Sequence, residues 1–288
     1  MTSWQSAHLF HTGDLDDLIR DVVTPLARSA TASFYLRYWE SGPHVRLRLK
    51  GVPRDEIRDR AAQWFADHPS PAVDAPAYRR LAAVLAKGER RESYDPALHP
   101  PGSVVFIPYE PEERVYGNMS AVERHFSISS SLALDVLHGA PALERRTAVG
   151  LAVLTLTMAA CQPDLAEAAR RLPPHDPGDL GDLGDLGDSG DLPAALVTQT
   201  ERLWHLKDGP GLLGTWAASI NDLAANLPTT TGDAGSAHAH LAVIGDDAQR
   251  ARVLLRCAHL FHNRIGLRPG PESHVSTLAA RALAALRR

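Results

Sequence analysis

The stretch Phe34-Tyr-Leu-Arg-Tyr-Trp-Glu-Ser-Gly-Pro-His-Val-Arg-Leu-Arg-Leu49 constrains the fold more than any other part of the chain. Gly42-Pro43 is a turn signal between two runs of strand-forming residues. In the second run Val45, Leu47 and Leu49 alternate with His44, Arg46 and Arg48. A half-buried strand repeats every two residues, so the aliphatic side chains face a core and the imidazole and guanidinium groups share the other side. The first run sorts into Tyr35, Arg37 and Trp39 on one face and Phe34, Leu36 and Tyr38 on the other. Tyr35, Arg37 and Trp39 beside the arginines would make a cationic, aromatic-rich sheet face, suited to a large polar ligand or an acidic group. The competing reading leaves Arg46 and Arg48 as ordinary surface charges.

The flanks supply the rest of a small α+β plan. Trp4 to Phe10 reads as a first strand centred on Ser6 to Phe10. Gly13-Asp14 then turns the chain into a helical stripe of Leu15, Leu18, Ile19, Val22, Val23 and Leu26. Pro25 lies inside that stripe and predicts a kink near residue 24. After the hairpin, Pro53 and the acidic Asp55 and Glu56 mark a helix start. Ile57, Ala61, Trp64 and Phe65 would pack that helix on the sheet. Proline-rich connections surround a helical piece from Tyr78 to Gly88, and Ser103 to Tyr109 reads as a last, apolar strand. Strand, helix, two strands, helix and strand form a ferredoxin-like order.

The remainder reads as helical. One helix starts near Met119 or Ser120, with Ser120 and Glu123 as a capping box. It runs on through Phe126, Ile128, Leu132 and Leu137, with Ser127, Ser129, Ser130 and Ser131 on its surface or bonded to local backbone. There is no Gly-x-Ser-x-Gly elbow, so no acyl-transfer serine is expected. Further helices are expected over Glu144–Ala160, Asp164–Arg171, Thr198–Leu206, Leu212–Leu227, Asp246–Ile265 and Glu272–Leu286, with Trp204 and Trp216 packed and Gly266 as a stop. The fold class is α+β, a ferredoxin-like antiparallel sheet elaborated by a helical C-terminal half. Residues 1–288 form one unit, with the sheet in 1–139 and the helices in 140–288. Residues 173–191 repeat Gly-Asp-Leu and read as a flexible acidic loop, since a calcium loop needs flanking helices and a terminal Glu. His238 and His240 stand at i,i+2, a spacing that does not converge on a helix, so no metal site is expected there.

Composition excludes several classes. The 288 residues are 44% hydrophobic, enough for one substantial core or two small ones, and carry a formal net charge of -4. That charge argues against general nucleic-acid binding. The longest aliphatic run, around Val149 to Ala160, is too short to span a bilayer. No basic segment followed by an apolar core opens the chain, and a cytoplasmic protein without membrane partners is expected. Cys161 and Cys257 lack metal-ligand spacing and read as buried thiols. Nothing in the chain calls for a metal or organic cofactor.

Four separated motifs occur in order: Arg37-Tyr-Trp…Gly42-Pro-His-Val-Arg-Leu-Arg48, Tyr109-x-x-Glu112…Tyr116-Gly117, Glu123-x-x-Phe126, and His259-x-x-x-Asn263-Arg264-x-Gly266. Together they resemble the C-terminal, glutamate-eliminating domain of class I lanthipeptide dehydratases, in register from Trp4 to the last helix. That family includes stand-alone members from thiopeptide gene clusters. Some eliminate glutamate from glutamylated Ser or Thr. Others, the pyridine synthases, join two dehydroalanines by a formal [4+2] aza-cycloaddition, then lose water and the leader peptide. The eliminating enzymes read Tyr-x-x-Glu-x-x-Arg-Tyr-Gly-Gly, the Arg gripping the glutamyl adduct. Here Val115 occupies the Arg position and Asn118 the second Gly, while Arg114 stands one residue early. In an extended segment that offset turns Arg114 to the opposite face, although a bulge would restore it.

The resemblance implies a pyridine synthase acting on a dehydrated, azole-bearing precursor peptide that carries a leader, alongside other enzymes of the same pathway. An eliminase and a non-catalytic precursor-binding partner are the alternatives. Arg46 and Arg48 match the family's arginine pair and His259 its catalytic histidine. His259, Tyr109 and Tyr116 are the proton-transfer candidates, because an imidazole or phenol can move a proton near neutrality or donate to developing charge on oxygen. Arg46, Arg48, Glu112 and Arg114 are the substrate-binding candidates, Glu112 either directly or as a buried ion-pair partner orienting Arg48 or Arg46. Asn263 and Arg264 are expected to fix the end of the last long helix.

Overall fold

Strands β1 (Gln5–Phe10), β2 (Ala32–Tyr38), β3 (His44–Lys50) and β4 (Val104–Phe106) form one antiparallel sheet in the order β2-β3-β1-β4. With helix α3 (Arg54–Asp67) between β3 and β4, this is the ferredoxin-like arrangement the hydrophobic pattern predicts. The structure is a computed structural model and describes residues 3–89, 91–139, 142–171, 192–228, 241 and 244–286. The Gly-Asp-Leu repeat and the His238/His240 pair lie outside the described residues.

The chain divides into two compact units, the first comprising Met1–Pro111, Phe126–Ala140 and Asn263–Gly266. Its core is built from the alternation read in the sequence: Val45, Leu47 and Leu49 are buried, as are Ala7 and Leu9 on β1. The stripe after Asp14 becomes α1 (Leu15–Leu18), a π-helical turn over Ile19–Val23, and α2 (Thr24–Ser29). The break falls where Pro25 predicts it, because proline lacks the N–H that would continue the i→i−4 ladder. Ile57, Ala61, Trp64 and Phe65 bury the inner side of α3, which packs on β1, β4 and the π-turn. Helix α4 (Ala75–Gly88) begins three residues earlier than expected, with the Asp74 side chain accepting from Ala77 N. The apolar run 103–109 is mostly not strand, since only Val104–Phe106 pairs with β1.

Register corrects one expectation. Cross-strand partners share a face, and Arg48 pairs with Phe34, Arg46 with Leu36 and His44 with Tyr38. Tyr35 and Arg37 pair with Leu47 and Val45 instead, so they stand on the opposite face from the arginines. From β1, Ser6, His8 and Phe10 join the Arg48, Arg46 and His44 side. The face is as cationic as expected, with His44, Arg46 and Arg48 on it, but β2 contributes Phe34, Leu36 and Tyr38 rather than Tyr35 and Arg37.

The outer edge of β2 is closed by side chains. Asn263 Oδ1 accepts from Arg37 N and its Nδ2 donates to Arg37 O, both at 2.9 Å. Arg264 Nε donates to Tyr35 O at 2.9 Å, and Tyr35 N donates to Ser130 Oγ. Arg264 is fully buried, with Nη1 on Ser129 Oγ and its guanidinium 5.1 Å from the Phe126 ring. Ser129 and Ser130 are thus buried partners of the sheet edge rather than helix surface. Asn263 and Arg264 dock a strand, a task beyond ending their own helix.

The second unit comprises Glu112–His125, Pro141–His262 and Leu267–Arg288 and is helical. Helices α5 (Glu113–Tyr116), α6 (Met119–Gly139, its residues from Phe126 onward counted in the first unit), α7 (Leu143–Cys161), α8 (Leu165–Arg171), α9 (Ala194–Trp204), α10 (Gly211–Asn226), α11 (Ala248–Arg264, its last two residues counted in the first unit) and α12 (Pro269–Ala285) follow in order. Helix α7 is its centre, packing against α9, α10 and α12 and buried along most of its last three turns. Trp204 and Trp216 are fully buried and donate to Pro163 O and Thr157 Oγ1. Asn118, not Ser120, accepts from Ala121 N at the start of α6. Leu267 N bonds to His262 O and Gly266 N to Asn263 O, and Gly266 has φ of 77°. These two bonds form the glycine-ended stop expected after Ile265. Cys161 and Cys257 are both buried.

Candidate functional site

In the first unit, Arg46 and Arg48 project from β3 between the side chains of β1 and β2. The Arg46 guanidinium lies 3.4 Å from the Tyr38 ring centre and reaches Glu40 at 3.4 Å. Glu40 also holds Arg91 at 2.8 Å. Arg48 lies 5.9 Å from the ring of Tyr109, which packs edge-on against Trp4 and Phe34. Two predicted residues, Arg48 and Tyr109, therefore meet.

One histidine missed by the sequence reading, His8, joins His44 on this face. His8 and His44 stack with ring centres 4.8 Å apart, and both are buried. His44 Nδ1 lies 2.8 Å from Gly42 O and must donate to it, which leaves Nε2 as the acceptor for Arg46 Nε at 3.4 Å. Burial, aided by Arg48, His44, Arg46 and His99, lowers the His8 pKa to about 2. Burial lowers His44 to about 3 against the opposing Gly42 hydrogen bond, with Arg46 and Arg48 adding to the effect. The positive charge on this face is carried by guanidinium groups, and both rings stay neutral. The signal for His8 was parity: it alternates with Ala7 and Leu9 as Arg46 does with Val45 and Leu47.

In the second unit, Tyr116 is buried, and its Oη accepts from Arg256 Nε at 2.8 Å. Burial raises its pKa well above the usual phenol value, so Tyr116 is a neutral hydroxyl, able to donate a hydrogen bond but poor as a base. Glu112 corrects an expectation: its side chain is 58% exposed and pairs with Arg256 at 3.8 Å, so it is not a buried ion-pair partner. Arg114 is exposed and makes no hydrogen bond or ion pair among the described residues. Its segment is not extended either. Tyr116 N and Gly117 N bond to Glu112 O and Glu113 O, closing one helical turn that Gly117 ends at φ of 74°. A one-residue offset there rotates a side chain by about 100° rather than flipping it to the other face.

His259 lies on α11 of this unit, about a third exposed at its side chain. Its Nδ1 is 2.7 Å from Glu272 Oε1. His262, one helical turn on and wholly buried, brings its own Nδ1 to the same oxygen at 3.1 Å. Glu272 was missed because α12 begins beyond a chain reversal at Gly266, where periodicity says nothing of partners. The i,i+3 spacing of His259 and His262 was the available signal, since such residues share one side of a helix. Among the described residues no group of three or more His, Cys, Asp or Glu side chains could hold a metal ion. No single described helix is long and apolar enough to cross a membrane.

Residues 4–283 match the family described as lantibiotic biosynthesis dehydratase C-term, and the chain belongs to that family. Among solved structures it is similar to the pyridine synthase TbtD from thiomuracin biosynthesis, at a TM-score of 0.70 and 19% identity, over 99% of both chains. It is also similar to TsrL, at a TM-score of 0.59 and 16% identity, over 98% of this chain and 94% of that one. No curated protein matches it.

Proposed function

We propose that this protein is a thiopeptide pyridine synthase. It takes a dehydrated, azole-bearing precursor peptide and joins two dehydroalanines by a formal [4+2] aza-cycloaddition. Water and the leader peptide then depart as the ring aromatises. The observation that carries this reading is Val115, where an eliminating enzyme has the arginine that grips its glutamyl adduct. The likeness to TbtD, named as a pyridine synthase and coextensive with this chain, supports it.

The reaction needs one amide to react through its iminol form while a distant alkene is held against it. Most of the acceleration comes from that alignment, where effective molarities reach about 10⁵–10⁸ M. Arg46 and Arg48 bind carbonyl oxygens of the folded-back peptide, and Tyr109, Glu112 and Arg114 contribute to holding it. His259 moves the proton, and Tyr116, a neutral hydroxyl, donates to oxygen as charge develops.

The retained arginine pair and His259 favour elimination as the second reading. Mass spectrometry of the purified protein with each precursor form separates the two. A macrocycle and a separate leader amide from the dehydrated peptide are expected. Glutamate loss from the glutamylated peptide, with no ring from the dehydrated one, overturns the proposal, and tight binding without product makes the protein a non-catalytic partner. His259→Ala should lower kcat much more than it weakens peptide binding, and equal losses would make His259 an anchor.

A further inference from the structure

Glu272 lies in the first turn of α12, nearly buried, and the hydrogen bonds around it do not balance as a plain acid–imidazole pair. His259 Nδ1 and His262 Nδ1 approach the same oxygen, Oε1, at 2.7 and 3.1 Å. The second nitrogen of His262, Nε2, lies 3.0 Å from the Gly150 carbonyl oxygen. A carbonyl only accepts, so His262 Nε2 carries a hydrogen. A neutral imidazole has one N–H, which would leave Nδ1 bare against a carboxylate, two lone pairs facing each other in a dry interior. Such a contact costs the full desolvation of both groups. One more proton therefore lies between His262 Nδ1 and Glu272 Oε1, and with it the two residues together carry no net charge.

We propose that Glu272 and His262 form a buried, proton-sharing pair of zero net charge that positions His259. The pair accepts His259 Nδ1–H and so leaves Nε2 as the nitrogen that works on substrate. The assignment rests on the proton-transfer role given to His259. A bare carboxylate behind the ring would favour the imidazolium. A neutral pair fixes the tautomer without fixing the charge, which suits a group that takes a proton and returns it within one cycle. Gly150 belongs to the device. A Cβ there would stand 2.8 Å from Leu267 Cδ1 and 3.2 and 3.3 Å from His262 Cδ2 and Nε2. The absent side chain at Gly150 gives that ring room beside the α7 carbonyl.

Long-range ¹H–¹⁵N spectra of the whole protein, labelled in its 14 histidines, read these protons without substrate. His259→Gln and His262→Gln assign the two rings. The expected spectrum has one proton on His259, at Nδ1, and on His262 an Nε2 proton plus a second, strongly hydrogen-bonded proton at Nδ1. His259 protonated at Nε2, or His262 with no proton resonance at Nδ1, overturns the proposal. The wild-type spectra decide this even if a Glu272 variant fails to fold. In Glu272→Gln the shared-proton resonance should vanish and His259 should divide between tautomers. On the dehydrated precursor that variant should lose roughly 100-fold in kcat with KM within about threefold. An unchanged kcat overturns the positioning role. The expected spectra from an enzyme that forms no ring leave the pair standing and refute the pyridine synthase assignment instead.

Discussion

Acidification tests the two buried imidazoles of the arginine face, His8 and His44. In the unfolded chain each takes a proton near its ordinary value of 6.5, whereas in the folded unit the values fall to about 2 and about 3. Above pH 6.5 both states hold neutral rings and neither histidine contributes to the pH dependence. Below it only the unfolded chain binds the protons, so stability is lost as the pH falls toward the folded values. Each histidine contributes a slope of roughly 1.4 kcal/mol per pH unit. Two units of acidification therefore remove roughly 5 kcal/mol from the pair, as much as the whole stability of a marginal domain. His8→Leu isolates one half of the effect, because His8 Nε2 has no hydrogen-bond partner to forfeit and leucine fills similar space. Urea unfolding followed by circular dichroism at stepped pH between 7 and about 4.5 gives the slopes. The variant should lose about half of the histidine-linked slope, roughly 1.4 kcal/mol per pH unit, relative to wild type. Equal slopes in the two proteins would refute the claim that His8 is held neutral by its surroundings.

Three further outcomes follow from particular contacts. Asn263→Asp keeps an acceptor for Arg37 N but turns a carboxylate toward Arg37 O, so urea unfolding should show a loss of about 1–3 kcal/mol and hydrogen exchange should speed at Arg37. Gly150→Ala forces a methyl against Leu267 and the His262 ring, and should cost about 1–3 kcal/mol in the same assay while shifting the His262 resonances. Asn118→Ala removes the acceptor for Ala121 N and should cost about 1 kcal/mol, with exchange accelerated in the first turn of α6 alone.

Where local periodicity decides, the sequence was enough. The alternation of Val45, Leu47 and Leu49, the break at Pro25 and the stop at Gly266 all depend on chemistry within a few residues of themselves. Where a partner comes from afar, it was not. The side chains of β2 that share the arginine face depend on cross-strand register, which parity within one strand leaves open. Asn263 and Arg264 read as a helix end until their contacts with β2, more than 220 residues earlier in the chain, are seen. The candidate site divides in the same way: Arg46, Arg48 and His259 came from motifs, whereas His8 and Glu272 acquire meaning only from neighbours brought in by tertiary packing. The helical conformation around Arg114 was not legible because a four-residue turn carries too few residues to announce its period.

The closed margin of β2 limits how a peptide can be recognised. Extended ligands often dock by adding themselves as an extra strand, their main chain zipping onto exposed amides and carbonyls. At Tyr35 and Arg37 those amides and carbonyls are already engaged by Ser130, Arg264 and Asn263. An arriving chain finds no backbone there to zip onto, and the same closure removes a template for runaway sheet growth between copies.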